Sequence, residues 1–187
     1  MTTLRFDDRG WKTYGASLSP DGSAFAYIVD EGTGYPRAAQ RSLSRDGVGE
    51  LRWVQLRSTG PVRKVVHSTD GRWLAVEIAP SGGEHHQVWV VTTDPDDDTA
   101  HRIAATRPDG RSFGTVGLVG WDTDWVLITA IDQDGTSHAL RVHPGTGTTL
   151  TLDQRVGSVL IDSWKGATLV RVGPRGYHDM LLLRRRP

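Results

Sequence analysis

Apolar residues along this chain mostly fall in short runs or alternate with polar ones, and clusters of Gly, Pro, Asp and Ser break them up. Two-residue periodicity bounded by turn formers predicts β-strands, and no window of about 11 residues or more carries a helical period. The first strands are expected over residues 14–18 and 23–29, joined by a turn at Asp21-Gly22. Residues 31–49 are polar, glycine-bearing and aperiodic, which predicts a long loop. Strands resume over 51–56 and, past Gly60-Pro61, over 62–66. A more compact group follows: 73–78, the turn Pro80-Ser81-Gly82-Gly83-Glu84, 86–91, and a short strand over 101–104. The third group runs over 125–131, 137–142 and 148–152, and the fourth over 159–161, 167–172 and 180–183.

One phrase recurs at the head of these groups. Ser19-Pro20-Asp21-Gly22 leads into Phe25-Ala26-Tyr27-Ile28-Val29, and Ser68-Thr69-Asp70-Gly71 leads into Trp73-Leu74-Ala75-Val76-Glu77-Ile78. A tight turn feeding a strand, repeated roughly every 45–50 residues, marks β-propeller blades. An aspartate just before glycine can accept backbone N–H bonds, and the glycine supplies the turn conformation. Asp21, Gly22, Asp70 and Gly71 are therefore read as structural. Trp73 and Trp125 hold the same place after the turn in successive units, and Trp73 is expected to be buried between sheets.

The fold class is thus all-β, of the β-propeller type, in about four antiparallel meanders. These span 14–66, 67–104, 115–152 and 157–187 of a single domain, 1–187. The fourth unit lacks an outermost strand, and an open sheet edge is normally covered. Residues 2–6 would supply that strand, or further blades would come from a longer chain or from a second copy completing the ring.

With 187 residues the chain is long enough for one sizeable core. The formal net charge is zero, so no global field draws it to nucleic acid or to an acidic membrane, and neither partner is expected. The absence of cysteine excludes disulfides and thiolate metal sites. The first residues lack the apolar core of a signal peptide, and no run nears the ~18 apolar residues of a membrane-crossing helix. A cytoplasmic location is the expectation.

The residues carry a family resemblance as well. Ser19-Pro20-Asp21-Gly22-Ser23-Ala24-Phe25-Ala26-Tyr27 resembles the repeat of TolB-like propellers. The stretch from Asp70-Gly71-Arg72-Trp73 to Val91-Thr92-Thr93-Asp94-Pro95, with Leu169-Val170-Arg171-Val172-Gly173-Pro174-Arg175-Gly176 later on, resembles the N-terminal propeller of prolyl oligopeptidase family serine peptidases, of the acylaminoacyl-peptidase and dipeptidyl-peptidase kind. The resemblance implies a non-catalytic propeller that gates peptide access to an α/β-hydrolase domain. That domain would carry the Gly-x-Ser-x-Gly nucleophile elbow, an aspartate and a histidine. Gly15-Ala16-Ser17-Leu18-Ser19 begins like such an elbow, but its last position is serine, and a turn and a strand follow where an elbow needs a helix. No catalytic residue carries over to this chain.

Other candidates are weaker. Glu84-His85-His86 puts two imidazoles beside a carboxylate, yet adjacent strand residues point to opposite faces, and a zinc site needs a further ligand. They are expected to be solvated turn histidines. Asp132-Gln133-Asp134-Gly135-Thr136 opens like a calcium loop but lacks its third acidic position and distal glutamate, so a hairpin turn is expected. Asp94-Pro95-Asp96-Asp97-Asp98 reads as a solvated loop, and Arg184-Arg185-Arg186 as a free end. No metal and no cofactor are expected.

Arg37, Arg41 and Arg45 fall in the expected long loop, and propeller loops ring one rim where a substrate or partner docks. They are the candidate rim residues. Two rival readings stay open: a stand-alone propeller binding module, and an enzyme with its site built from residues such as His67, Glu77 and Asp122.

Overall fold

Alternation along Ala24–Asp30 sends Phe25, Tyr27 and Val29 to one side of a strand and Ala26 and Ile28 to the other, and both sides are apolar. A sheet built this way must be covered on both faces. In the structure, a computed structural model that describes residues 11–103, 111–157, 159–164, 167–172 and 179–184, a stacked sheet meets that demand on the side of Ala26 and Ile28, and Trp11, Leu51 and Trp53 pack on the other side.

The first sheet comprises β1 (Lys12–Leu18), β2 (Ala24–Asp30) and β3 (Arg37–Ser44), with β4 (Gly47–Val48) and β5 (Arg52–Trp53) both pairing with β3. The second is β6 (Val62–His67), β7 (Trp73–Ile78), β8 (Gln87–Thr92) and β9 (Ala100–Arg102). The third is β10 (Thr115–Asp122), β11 (Trp125–Ile131), β12 (Thr136–Val142) and β13 (Thr149–Val156). The fourth is β14 (Val159–Trp164), β15 (Ala167–Val172) and β16 (Asp179–Arg184). Every pairing is antiparallel between chain neighbours, save that β5 skips β4 to reach β3.

The first strand of each sheet lies beside the first strand of the next: β1 meets β6, β6 meets β10, and β10 meets β14. The sheets therefore fan outward from a common inner side, as propeller blades do. Each of these inner strands carries a bulge: between Tyr14 and Ser17, Val62 and Lys64, Leu118 and Gly120, and Leu160 and Asp162. A bulge raises the local twist and bends the strand, which suits the crowded inner edge.

Packing follows the same order. Each sheet has a leading face, toward the sheet before it, and a trailing face, toward the sheet after it. Ala26, Ile28 and Ala38 of the first sheet pack on Val65, Leu74 and Val76 of the second. Ala75, Val88 and Val90, on the trailing face of that second sheet, pack on Trp121, Val126, Ile128 and Leu140 of the third. Leu127 and Ala139 meet Val170 of the fourth, flanked by Leu181 and Leu183.

Three expectations change. Residues 31–49 are not one long loop: Ala38, Ala39 and Gln40 are buried, and β3 and β4 occupy most of the stretch. Small residues and a buried glutamine hid the apolar pattern. Residues 62–67 open the second sheet instead of ending the first, because β6 pairs with β7. Trp73 is only half-buried, against His101, whereas Trp89 and Trp121 are buried. Residues 2–6, 165–166, 173–178 and 185–187 lie outside the described residues, as do the expected strand at 2–6 and two of the terminal arginines. The side chain of Arg184 lies outside them too.

Candidate functional site

The turns at the head of the first two sheets share one geometry. The Gly22 amide donates to the Ser19 carbonyl at 2.9 Å, and the Gly71 amide to the Ser68 carbonyl at 3.0 Å. Gly22 and Gly71 have φ of 71° and 75°, left-handed values that glycine adopts without strain. The buried Ser19 hydroxyl donates to Asp21 at 2.7 Å and accepts from the Ala24 amide at 2.9 Å. Ser68 does the same with Asp70 at 2.6 Å and the Trp73 amide at 2.9 Å.

These aspartates are fixed anions. The Ser23 amide, then the Ser19 and Ser23 hydroxyls, hold the Asp21 carboxyl down at about 2. Burial pushes Asp70 up, but Ser68, the Arg72 amide and the Arg72 guanidinium outweigh it, and the net shift is downward. Both carboxylates spend their lone pairs on the turn, so neither serves proton transfer.

Two of the three candidate arginines are not on a loop. Arg37 and Arg41 stand on β3, and Arg45 is exposed in the turn between β3 and β4. Arg37 lies 3.7 Å over the Trp53 ring and pairs with Glu31 at 2.6 Å. Arg41 donates to the Tyr27 hydroxyl at 3.0 Å and to the Gly49 carbonyl at 3.3 Å. Arg37 also borders a cleft of about 270 Å³ with Tyr35, Trp53, Leu56, Thr59 and Ile78. An exposed tyrosine, a tryptophan face and a guanidinium around a mostly apolar hollow suit a peptide side chain. The cleft, with Tyr35 and Trp53, was not legible in the sequence, because it needs the end of the first sheet and the 56–60 segment brought together.

His67, Glu77 and Asp122 are all buried, but their hydrogen bonds go to different partners and none joins one of the three to another. The His67 amide donates to Ser17 Oγ at 2.9 Å, and its Nδ1 lies 3.2 Å from the same oxygen. A hydroxyl beside an imidazole invites comparison with a nucleophile and its base. Here the other ring nitrogen, Nε2, is buried without a hydrogen-bond partner among the described residues, so no carboxylate orients the ring. Ser17 sits on a bulged strand, with no helix N-terminus behind it to stabilise an oxyanion. The contact is a clasp between the first and second sheets. Burial pushes the His67 imidazole below its ordinary value.

Glu77 is a clasp of the same kind. Its Oε2 accepts from the Leu118 amide at 2.7 Å, and its Oε1 lies 2.7 Å from His86 Nδ1. Lys64, opposite Glu77 in the β6–β7 register, donates to the Leu118 and Val119 carbonyls at 3.1 and 2.7 Å. The bulge of β10 thus meets a lysine and a glutamate of the second sheet. Asp122 pairs with Arg141 and accepts from the Ser163 hydroxyl at 3.0 Å, which ties the third sheet to the fourth.

The remaining candidates also serve the fold. His86 is not merely solvated, since Glu77 holds its ring, and His85 Nδ1 lies 2.6 Å from the Gly114 carbonyl. Asp132 to Gly135 form the β11–β12 turn, with Gly135 at φ 83° and buried Asp132 2.9 Å from His138 Nε2. In the acidic loop, Asp97 accepts from Thr99, and Arg52 of β5 reaches its carbonyl at 3.4 Å and that of Thr93 at 3.2 Å. No cluster of three His, Asp or Glu that could hold a metal ion occurs among the described residues.

No family model and no curated protein matches the chain by sequence. Solved structures do. A prolyl endopeptidase, from work on inter-domain dynamics in catalysis and specificity, aligns over 90% of this chain at 14% identity, with a TM-score of 0.63. The β-propeller domain of the trilobed protease from Pyrococcus furiosus aligns over 92%, at 12% identity and a TM-score of 0.64. TolB from Acinetobacter baumannii aligns over 84%, at 13% identity and a TM-score of 0.56. This chain spans 26%, 53% and 39% of those three chains. At such identities the likeness is one of fold, and the fold is an array of β-propeller blades like those of peptidase and TolB propellers.

Proposed function

We propose that this chain is the non-catalytic propeller portion of a serine peptidase of the prolyl oligopeptidase kind, and that it gates peptide access to an α/β-hydrolase domain. The observation that carries the reading is the alignment of nine-tenths of this chain with about a quarter of a prolyl endopeptidase. The described residues supply no competing chemistry: Ser17 and His67 lack an orienting acid, and Asp21, Asp70, Glu77 and Asp122 are all engaged in turns or clasps.

The role is steric. Sheets packed on both faces make a wall that does not deform for a large substrate. An extended peptide passes such a wall where a folded protein does not. The cleft of Tyr35, Arg37 and Trp53 offers the passing peptide an aromatic contact.

The purified chain is expected to resist labelling by a fluorophosphonate and to leave aminoacyl-nitroanilides intact. A hydrolase domain encoded in the same locus, with this chain added, is expected to keep its nitroanilide turnover and lose activity on a folded protein that it otherwise cuts at an exposed loop. Labelling of Ser17, or equal cleavage of both substrates with and without the chain, overturns the proposal. The same cleft supports a second reading as a stand-alone binding module, which the absence of any hydrolase sequence at the locus would favour.

A further inference from the structure

Five Asp-Gly pairs occur in the chain, and those at 21–22, 46–47, 70–71 and 134–135 lie among the described residues. Asp109-Gly110 lies outside them. An aspartyl carboxyl is open to attack by the amide nitrogen of the next residue, and glycine, without a Cβ, obstructs that attack least. The four described aspartates share this successor, and all four are exposed. What separates them is how each carboxyl is held.

Asp21 accepts from the Ser19 hydroxyl, the Ser23 amide and the Ser23 hydroxyl, at 2.7, 3.0 and 2.8 Å. Asp70 accepts from the Ser68 hydroxyl at 2.6 Å, the Arg72 amide at 3.0 Å and Arg72 Nε at 2.5 Å. Asp134 accepts from the Thr136 amide at 2.9 Å. Asp46 differs. Its amide donates to the Ser44 hydroxyl at 3.2 Å, and its carboxyl has no hydrogen bond or ion pair among the described residues. Attack needs a carboxyl free to turn onto the amide, and it needs the acid form, whose hydroxyl leaves as water. The Ser23 and Ser19 bonds deny Asp21 both, since its fall from 3.8 to about 2 cuts the acid form roughly fiftyfold in mild acid.

We propose that Asp46-Gly47 is a modification site, where the main chain isomerises to an isoaspartyl linkage. The Gly47 nitrogen attacks Cγ of Asp46 and gives up its proton, the bond from Cγ to the hydroxyl breaks, and one water leaves a five-membered succinimide. One water then adds at the main-chain carbonyl of Asp46, and the bond from that carbonyl to nitrogen breaks. The nitrogen recovers its proton and stays on Cγ, while the old main-chain carbonyl becomes a carboxylate. The mass is unchanged, but the main chain gains one methylene. Arg45 and Asp46 are the two residues that join β3 to β4, and Gly47 has φ 131°. An extra main-chain atom in so short a turn shifts the Leu43–Val48 pairing and the 2.9 Å bond from the Gly49 amide to the Ser42 carbonyl. Arg41, which donates to the Gly49 carbonyl at 3.3 Å, then loses that acceptor. Isomerisation at Asp46 thus loosens a candidate rim arginine. The inference is independent of the peptidase reading, since it is read by the position of a label and not by turnover.

Storage of the full chain at about pH 5, then labelling by an isoaspartyl methyltransferase with S-adenosylmethionine and peptide mapping, tests it. Label at Asp46 is expected to reach roughly ten times or more the level at Asp21, Asp70 or Asp134. In concentrated urea, where no fold holds any carboxyl, the four yields are expected to converge. Asp46→Glu, whose closure would need a six-membered ring, is expected to carry no label there and to keep the strand spectrum of the parent. Ser23→Ala takes a hydroxyl from Asp21 at an exposed position and is expected to raise the label at Asp21 several-fold. Equal label at the four sites of the folded chain overturns the proposal. So does a lead of Asp46 that persists in urea, or a folded chain with no label at Asp46.

Discussion

Asp70 shows what a repeated residue does in this chain. Its Oδ1 accepts from the Ser68 hydroxyl and the Arg72 amide, and both bonds hold the turn that launches β7. Asp70→Ala should cost about 1 kcal/mol of stability, the usual net worth of such bonds, with urea denaturation as the measurement. Thr123 is the opposite case. It occupies the β10–β11 turn at φ 56°, where the first two sheets use glycine, and a β-branched residue is strained there. Thr123→Gly should stabilise the chain by about 1 kcal/mol, offset in part by loss of the Thr123 hydroxyl contact with Asp122. His67 sets a pH response. Its folded-state pKa is lowered, so the unfolded chain takes up the proton first as pH falls below the ordinary 6.5. Stability is then full above that value and declines on acidification beneath it. Urea midpoints at about pH 7.5 and about pH 5.5 should differ, and His67→Gln should shrink the difference. An unchanged difference would place the response on other groups.

Between elements, polar clasps sit at each junction of an apolar interface. Glu77 is the clearest, since it accepts from the buried Leu118 amide at the β10 bulge. Glu77→Ala should cost about 2 kcal/mol, because a buried N–H loses its acceptor. Glu77→Gln should recover part of that, since the amide oxygen still accepts. If both variants are neutral in chemical denaturation, Leu118 finds another partner and the clasp is incidental. These clasps mark where sequence reading stops. Strands with an apolar run and a Ser-x-Asp-Gly turn, such as β2 and β7, were legible from local pattern. The stretch Thr115-Val116-Gly117-Leu118-Val119-Gly120 carries no clear strand signal, since two glycines interrupt its run, yet β10 touches three strands of the second sheet. Arg37 and Arg41 could be named as arginines of an expected loop and Glu77 as a candidate site residue, but their partners Trp53, Tyr27 and Leu118 depend on registers across strands or sheets. Turn chemistry is local and can be read; the pairing of one sheet with the next is not.

Over the whole molecule, burial rises toward the middle of the array. Leu74, Ala75 and Val76 of β7 and Val126, Ile128 and Ala130 of β11 are fully buried, because the second and third sheets each have a neighbour on both faces. Among the described residues the outer sheets have a sheet neighbour on one face only: β1 is exposed along almost its whole length, and β16 alternates between packed and open positions. Opening free energy follows local packing, so amide exchange should be graded in the same order. In dilute solution the β7 and β11 amides should exchange slowest and those of β1 and β16 fastest, with β12 between. Uniform protection would mean that the array unfolds as one unit and that the two-sided packing of the central sheets gives them no local advantage.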